Sequence, residues 1–226
     1  MDHISRRNPL ALMVLATLAE QPTHPYQLVQ TLKGRQKDKS ARLNYGSLYT
    51  VIGSLEKAGL IEALEVTKSG NLPPRTTYKV TEYGLTELID WLSTLISDPE
   101  PEIPQFMTAL SILPAISPEE AVRLLRQRVE KLGRTLETMA AERAKNIKII
   151  PELLSIESKY LEALTRAEYD FTNKLIDDIV TGQLGGVRVW RAIQERLVDG
   201  RIDYDAVAAA LAEDGYSFDD LAMAEQ

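Results

Sequence analysis

The chain has 226 residues, which is enough for one large domain or two small domains, each with a buried core. It contains no cysteine, and this excludes a disulfide framework, a thiolate zinc site and a cysteine nucleophile. The net charge of −7 argues against a nucleic-acid partner for the chain as a whole, but residues 1–97 hold 11 basic and 9 acidic residues, against 15 and 24 in residues 98–226. Only the first region is therefore suited to face phosphates.

No apolar run approaches the roughly 20 residues of a membrane-spanning helix, and residues 1–7 are not followed by a signal-type apolar core with a cleavage site. We therefore expect a cytoplasmic protein without membrane contact. No glycine-rich phosphate loop or metal-ligand spacing is present, and the histidines, His3 and His24, fit no catalytic set. We expect neither an enzyme nor a bound cofactor or metal.

Two helix starts open the chain, each with an N-cap residue followed by proline. Asn8-Pro9 begins a largely buried first helix, and Thr23-His24-Pro25 begins a short second helix over residues 26–33. A basic segment, residues 35–42, follows the second helix. It either positions DNA phosphates or is a solvated loop, and its place directly before the next helix favours phosphate contact.

The third helix, residues 44–59, has two unlike faces. Its apolar residues recur at helical spacing and predict a buried face. They are Leu48, Val51, Ile52 and Leu55. The other face is small and polar, and it carries Ser47, Thr50, Gly53, Ser54 and Lys57. Because short side chains let a helix backbone come close to a surface, we interpret this element as a DNA recognition helix.

Residues 60–66 and 76–80 have strand composition and are separated by a turn-rich segment, which predicts a hairpin wing. Thr81 then caps a further helix with an apolar stripe. Three helices, a hairpin and a fourth helix, in this order, predict a winged helix-turn-helix domain over residues 1–97.

Several short motifs of this region resemble those of PadR-type transcriptional regulators and occur in the family's order. They are Tyr26-Gln27-Leu28, Gly46-Ser47-Leu48-Tyr49, Leu55-Glu56-Lys57-Ala58-Gly59-Leu60-Ile61, Pro74-Arg75 with Tyr78, and Thr81-Glu82-Tyr83-Gly84. Pro25 departs from the pattern, because the family usually has glycine before the tyrosine. The resemblance implies that Ser47 and Tyr49 contact DNA. The alternative for Tyr49 is a core ring with its hydroxyl in water.

The predicted DNA contacts combine hydroxyl, aromatic and basic groups, which can reach base edges or phosphates. They are Tyr26, Lys37, Lys39, Arg42, Asn44, Ser47, Tyr49, Thr50, Ser54, Lys57, Lys68 and Arg75. Lys68 and Arg75 belong to the wing, where an exposed loop cation also needs no function. Lys57 equally well only solvates the end of its helix.

A proline-rich linker with a short helix, residues 98–117, separates this domain from a helical region, residues 118–184. A capping box at Ser117 starts a helix with a heptad pattern, and a second long helix follows the break near Pro151. We expect an antiparallel hairpin that forms a homodimer; folding back onto the winged helix is the alternative. The predicted dimer interface comprises Val122, Leu125, Val129, Leu132, Leu136, Met139, Tyr160, Leu164 and Phe171.

Residues 185–226 form a partly helical tail that the resemblance does not cover. The family resemblance implies a small apolar or aromatic effector, and the candidate lining residues are Trp91, Phe106, Phe171 and Trp190. Ordinary core or interface packing accounts for the same residues. The sequence thus predicts a mainly α protein that binds double-stranded DNA as a homodimeric repressor on a near-palindromic operator. A winged helix that binds another protein instead is the alternative, and the acidic net charge favours it.

Overall fold

The computed structural model describes residues 8–35, 37, 44–67, 75–146, 151–197 and 204–217. The chain divides into two compact units, Met1–Glu102 and Ile103–Gln226. It is mainly helical with a small antiparallel sheet and long helices toward its C-terminus, which confirms the predicted fold class. In the described part of the chain, no helix combines the length and apolar character that crossing a bilayer requires.

The first unit has the element order of a winged helix. Its elements are α1 (Pro9–Glu20), α2 (Pro25–Gly34), α3 (Tyr45–Lys57), β1 (Ile61–Thr67), β2 (Arg75–Val80) and α4 (Glu82–Ser97). Both predicted proline starts are confirmed. Asn8 Oδ1 accepts a hydrogen bond from the Leu10 amide at 3.1 Å, and His24 Nδ1 accepts one from the Gln27 amide at 3.1 Å. Pro25 is therefore an ordinary first helical residue of α2.

The wing is the antiparallel pair of β1 and β2, in which Ile61 lies opposite Val80 and Thr67 opposite Arg75. The predicted turn segment between the strands, residues 68–74, lies outside the described residues. The connection from α1 to α2 joins this hairpin through Thr23, whose backbone exchanges N–O hydrogen bonds of 3.0 and 2.9 Å with Tyr78. The base of the wing is thus tied directly to the helices.

The core of the first unit gathers one apolar face from each helix and the start of the wing. The side chains of Leu15, Leu28, Leu48 and Leu55 are fully buried, and Trp91 of α4 closes the core. Other apolar residues of α4 remain exposed. These are Leu85, Ile89, Leu92, Leu95 and Ile96.

The second unit is helical throughout its described residues. Its helices are α5 (Gln105–Ser111), α6 (Pro118–Asn146), α7 (Ile156–Thr181), α8 (Val187–Leu197) and α9 (Tyr204–Glu213). The second long helix begins at Ile156, later than predicted from Pro151, because Glu152–Ser155 forms a 3-10 turn. It ends before Gly182, which has a left-handed φ of 73°.

The long helices α6 and α7 pack antiparallel. Arg128 pairs with Glu168, and Arg143, further along α6, pairs with Glu162, which lies earlier in α7. The predicted helical hairpin is therefore present.

The tail continues this packing. The Trp190 indole N–H of α8 donates to the Ile116 carbonyl oxygen at 2.7 Å, and the Gln194 side-chain amide donates to the Pro114 carbonyl oxygen at 2.6 Å. The next helix, α9, packs against Val189 of α8 through Val207 and Leu211. The tail thus docks on the segment that leads into α6.

Candidate nucleic-acid interface

The N-terminus of α3 is fixed by a reciprocal cap. Asn44 Oδ1 accepts a hydrogen bond from the Ser47 amide at 2.8 Å, and Ser47 Oγ donates to the Asn44 carbonyl oxygen at 3.0 Å. The Asn44 amide also approaches Ser47 Oγ at 3.4 Å. Two of the predicted DNA contacts, Asn44 and Ser47, therefore hold the start of the helix in the free chain.

The outer face of α3 is exposed and polar, as its sequence pattern predicts. Tyr49, Thr50, Ser54 and Lys57 all lie on this exposed surface, and the Tyr49 side chain is 59 % exposed. Thr50 Oγ1 donates to the Gly46 carbonyl oxygen at 3.0 Å, and Ser54 Oγ donates to the Thr50 carbonyl oxygen at 2.9 Å. The structure brings these predicted contacts together on one helix, with short side chains held close to its backbone.

Tyr78 of the wing packs against the core to which the apolar face of α3 belongs. Burial raises the pKa of Tyr78 on β2, and the negative charge of the Glu56 carboxylate raises it further.

Two exposed tyrosines extend this surface toward α2. Tyr26 was predicted from the sequence and is 53 % exposed, with its ring stacked at 6.3 Å from that of His24. Tyr45 was not among the residues predicted from the sequence to contact DNA. It is 46 % exposed, and Lys33 Nζ lies 5.9 Å from its ring centroid. Tyr45 is the first residue of α3 and follows the capping Asn44, and this position could have identified it from the sequence as a candidate for the same surface.

The basic residues of the segment 35–42 that the structure describes differ in their surroundings. Arg35 forms two hydrogen bonds of 2.6 Å to the Glu20 carboxylate and so ties the end of α2 to α1. The Arg35 guanidinium holds the pKa of Glu20 below its usual range. Lys37 is half-buried near the end of α2. Lys39, Arg42 and Lys68 lie outside the described residues, and Arg75 begins β2 with its side chain outside the described part.

The predicted dimer residues separate into two groups. The α6 residues Val122, Leu125 and Leu136 are buried within the chain, and Val129, Leu132 and Met139 are half-buried. The α7 residues Tyr160, Leu164 and Phe171 are 67 %, 49 % and 52 % exposed. The heptad face of α6 is thus occupied by α7 and the tail, because Val122 and Leu125 share a cluster with Ile176, Ile179 and Trp190.

The predicted effector residues do not converge on one place. Trp91 lies in the core of the first unit, while Phe106, Phe171 and Trp190 belong to the second. Phe106 and Trp190 share the cluster around α6, where the Arg128 guanidinium lies 3.8 Å from the Phe106 ring centroid. Within the described part of the chain, the indole Nε1 of Trp91 is the one buried side-chain donor without a hydrogen-bond partner.

Comparison with solved structures shows a shared fold. The chain is similar to Bacillus subtilis PadR in complex with operator DNA, with 18 % identity, a TM-score of 0.60, and coverage of 74 % of this chain and 97 % of that one. It is likewise similar to the same protein in complex with p-coumaric acid, with 17 % identity, a TM-score of 0.61, and coverage of 74 % of this chain and 96 % of that one. A PadR-like transcriptional regulator from Bacillus cereus also matches, with 16 % identity, a TM-score of 0.53, and coverage of 75 % of this chain and 96 % of that one.

No curated protein matches this sequence. The sequence profile of the "Transcriptional regulator PadR-like family" matches residues 14–90, which span most of α1 through α4, including α3 and the wing. This family consists of transcriptional regulators and not of enzymes. The motifs identified in the sequence lie within the matched range. The chain therefore carries a PadR-like transcriptional-regulator domain at residues 14–90.

Proposed function

We propose that this protein is a sequence-specific DNA-binding repressor that acts as a homodimer on a near-palindromic operator. The observation that carries the proposal is the exposed face of α3 next to the wing, where the side chains of Thr50 and Ser54 are short and polar. A surface of this kind suits a helix that enters the major groove, since a groove about 12 Å wide admits a helix most deeply when its front is narrow.

Each part of the surface has a separate role in the proposed complex. Thr50 and Ser54 face base edges, and Tyr49 reaches a backbone phosphate from the flank of α3. Lys57 and the wing cations Lys68 and Arg75 supply charge to phosphates. Lys37, Lys39 and Arg42 do the same ahead of α3. The capping of α3 by Asn44 positions all of these groups.

The homodimer is proposed to form through α7. Tyr160, Leu164 and Phe171 follow one another at helical spacing and stay exposed, whereas the heptad residues of α6 are already packed. An exposed apolar row of this kind on a long helix is typical of a surface that pairs with another chain. Two copies would present two α3 helices to half-sites about one helical turn apart, or a multiple of it.

An effector would complete the regulation. The similar B. subtilis protein has been solved in complex with p-coumaric acid, and we propose a small aromatic effector for this chain as well. Phe106 and Trp190 are the candidates that share a cluster, and Arg128 beside Phe106 offers a cation to an acidic group. Such a ligand releases DNA only if it binds the DNA-free arrangement more tightly than the DNA-bound one.

The test is binding to the protein's own upstream DNA over a series of salt concentrations. We expect affinity to fall steeply with salt, and Arg75→Ala to reduce the slope of log K against log salt by about one, because one phosphate contact is lost. Lys79→Ala is the matched control: it removes a cation from the same strand that is already paired with Glu62 at 2.8 Å, so the slope should not change. Tyr49→Phe should weaken binding without altering the sizing profile.

A complete lack of salt-sensitive binding to every upstream fragment would contradict the proposal and favour a winged helix that binds another protein.

A further inference from the structure

We propose that Thr50 is the residue of α3 that selects the operator sequence, and that it does so by recognising the methyl group of a thymine. This inference rests on the proposed function and specifies its chemistry. The reasons are the side chains that α3 lacks, the open space on one side of Thr50, and the hydrogen bond that its hydroxyl already makes.

The composition of α3 excludes the commonest base contacts. Bidentate recognition of guanine requires Arg or Lys, and bidentate recognition of adenine requires Asn or Gln. Between Tyr45 and Lys57, α3 contains no Arg, Asn or Gln, and its lysine is the last residue. Asn44 precedes the helix, and its side-chain oxygen holds the cap. Apart from Glu56 and Lys57 at its C-terminal end, the exposed face of α3 therefore offers mainly hydroxyl and methyl groups for sequence selection.

One side of Thr50 on the exposed face of α3 carries no side chain. The neighbours of Thr50 along the helix surface are Gly46 and Gly53 on one side, and Ser47 and Ser54 on the other. A Cβ added at Gly53 would meet no atom within 4 Å, and one added at Gly46 would meet only Asn44 Oδ1 at 3.5 Å. The packing of the chain therefore requires neither glycine, although glycine is among the poorest helix formers.

These open positions suit a close approach from outside. With no Cβ on the Gly46–Gly53 side of Thr50, the backbone of α3 can approach the floor of a groove on that side until the Thr50 side chain itself makes contact. A methyl group at position 53 would hold the helix away by the width of that group. The glycines thus give clearance, and Thr50 makes the contact.

The hydrogen bond of Thr50 determines which groups it offers. Its hydroxyl proton is directed to the Gly46 carbonyl oxygen at 3.0 Å, so Oγ1 is left as an acceptor and Cγ2 as an apolar contact. In the major groove, an A·T pair presents the C5-methyl group of thymine and the N6 amine of adenine. A G·C pair presents an amine but no methyl group. Thr50 is therefore matched to A·T, and the methyl contact distinguishes it from G·C.

The experiment starts by selecting duplexes from a random pool with the wild-type protein. Each thymine of the selected half-site is then replaced by deoxyuridine, which removes only the methyl group, and affinities are measured by fluorescence anisotropy. We expect one position at which wild-type binding weakens about fourfold, as for the loss of one buried methyl group. Thr50→Ser should bind the thymine probe about fourfold more weakly and show no further loss with deoxyuridine. Thr50→Val, which keeps a methyl group, should retain the deoxyuridine effect.

A second variant tests the clearance. Gly53→Ala should fold at least as well as the wild type but bind the selected duplex about tenfold more weakly, because its methyl group holds the helix away from the bases. Gly133→Ala is the matched control: it adds the same methyl group to a helix of the second unit, at an ordinary 3.6 Å from Tyr169, and should leave affinity unchanged.

The possible failures are distinguishable. If wild type enriches a sequence but no deoxyuridine substitution weakens binding, or Thr50→Ser keeps the deoxyuridine effect, Thr50 does not recognise a thymine methyl group. Wild-type affinity in Gly53→Ala would overturn the clearance role. If wild type enriches no sequence and binds no DNA in a salt-sensitive way, the proposed function itself fails.

Discussion

Gly84→Ala tests the packing that holds the wing against α4. A Cβ at Gly84 would lie 2.0 Å from the carbonyl oxygen of Leu60 and 2.9 Å from Val80 Cγ2. To relieve this overlap, α4 or the residues before β1 must move by about 1 Å. Overpacking of a rigid site costs about 1–3 kcal/mol or more.

The same movement would disturb the cap of α4. Thr81 Oγ1 accepts from the Gly84 amide at 2.9 Å and donates to the Gly59 carbonyl oxygen at 2.7 Å. Loss of a helix cap costs about 1 kcal/mol, and the better helix propensity of alanine returns about the same amount. We therefore expect Gly84→Ala to lower the free energy of unfolding of the first unit by about 3 kcal/mol, a large share of the 5–15 kcal/mol typical of a whole domain.

The assay is urea unfolding followed by tryptophan fluorescence in a Trp190→Phe background, in which the emission reports on the buried Trp91. Gly53→Ala is the matched control, because it makes the same change within a helix where the added Cβ meets nothing. It should raise the stability of the first unit by up to about 1 kcal/mol. Equal stabilities of Gly84→Ala and its parent would refute the close approach of α4 to Leu60.

Three further predictions concern the helical unit and the α1–α2 contact. Phe171→Glu should convert the proposed dimer to a monomer in sedimentation, since it places a charge in an apolar interface, whereas Arg166→Glu on another exposed side of α7 should not. Trp190→Phe removes the donor to the Ile116 carbonyl oxygen and should cost the second unit about 1 kcal/mol in urea unfolding followed by circular dichroism. Because the pKa of Glu20 is lowered in the folded state, the Glu20–Arg35 pair should stabilise the protein above about pH 4.3 and lose this effect as the pH falls through the lowered pKa. Glu20→Gln should remove that pH dependence, and the half-exposed pair should contribute no more than about 1 kcal/mol.

Local signals made the element order predictable. Proline after an N-cap residue located the starts of α1 and α2, and the proline-containing capping signal at Ser117 located that of α6. Such signals act within a few residues, so a single sequence contains them in full. The start of α7 was less accurate, because the segment after Pro151 forms a 3-10 turn before the α-helix begins at Ile156.

The sequence indicated which faces are buried but not what covers them. Heptad spacing correctly marked Val122 and Leu125 as packed, yet within the chain their partners are Ile176, Ile179 and Trp190. Periodicity identifies an apolar face and carries no information on the identity of the opposing surface. The exposed stripe of α7 has the same kind of spacing, and only the three-dimensional packing separates it from the face that α6 covers.

The sequence predicted which face of α3 is exposed, but it did not predict which hydrogen-bonding groups that face offers. Exposure of Thr50 and Ser54 follows from their spacing relative to Leu48 and Leu55. The direction of their hydroxyl protons, toward carbonyl oxygens four residues earlier, depends on side-chain rotamers that a sequence does not fix. Tyr45 was not among the predicted contacts, although its position at the start of α3, next to Asn44, could have been read from the sequence.

The two faces of α3 explain how a segment with low helix propensity keeps a fixed helical shape. Gly46 and Gly53 lower the intrinsic stability of the helix, by about 1 kcal/mol each relative to alanine. Leu48, Val51, Ile52 and Leu55 offset this loss, since all are at most 5 % exposed and each such burial stabilises by about 1.5–3 kcal/mol. The stability of α3 therefore depends on its inner face and its Asn44 cap, and the outer face can vary without unfolding the domain. Substitutions at Thr50 should accordingly change DNA affinity while leaving the thermal midpoint nearly unchanged, which is the behaviour expected of a residue that serves recognition and not folding.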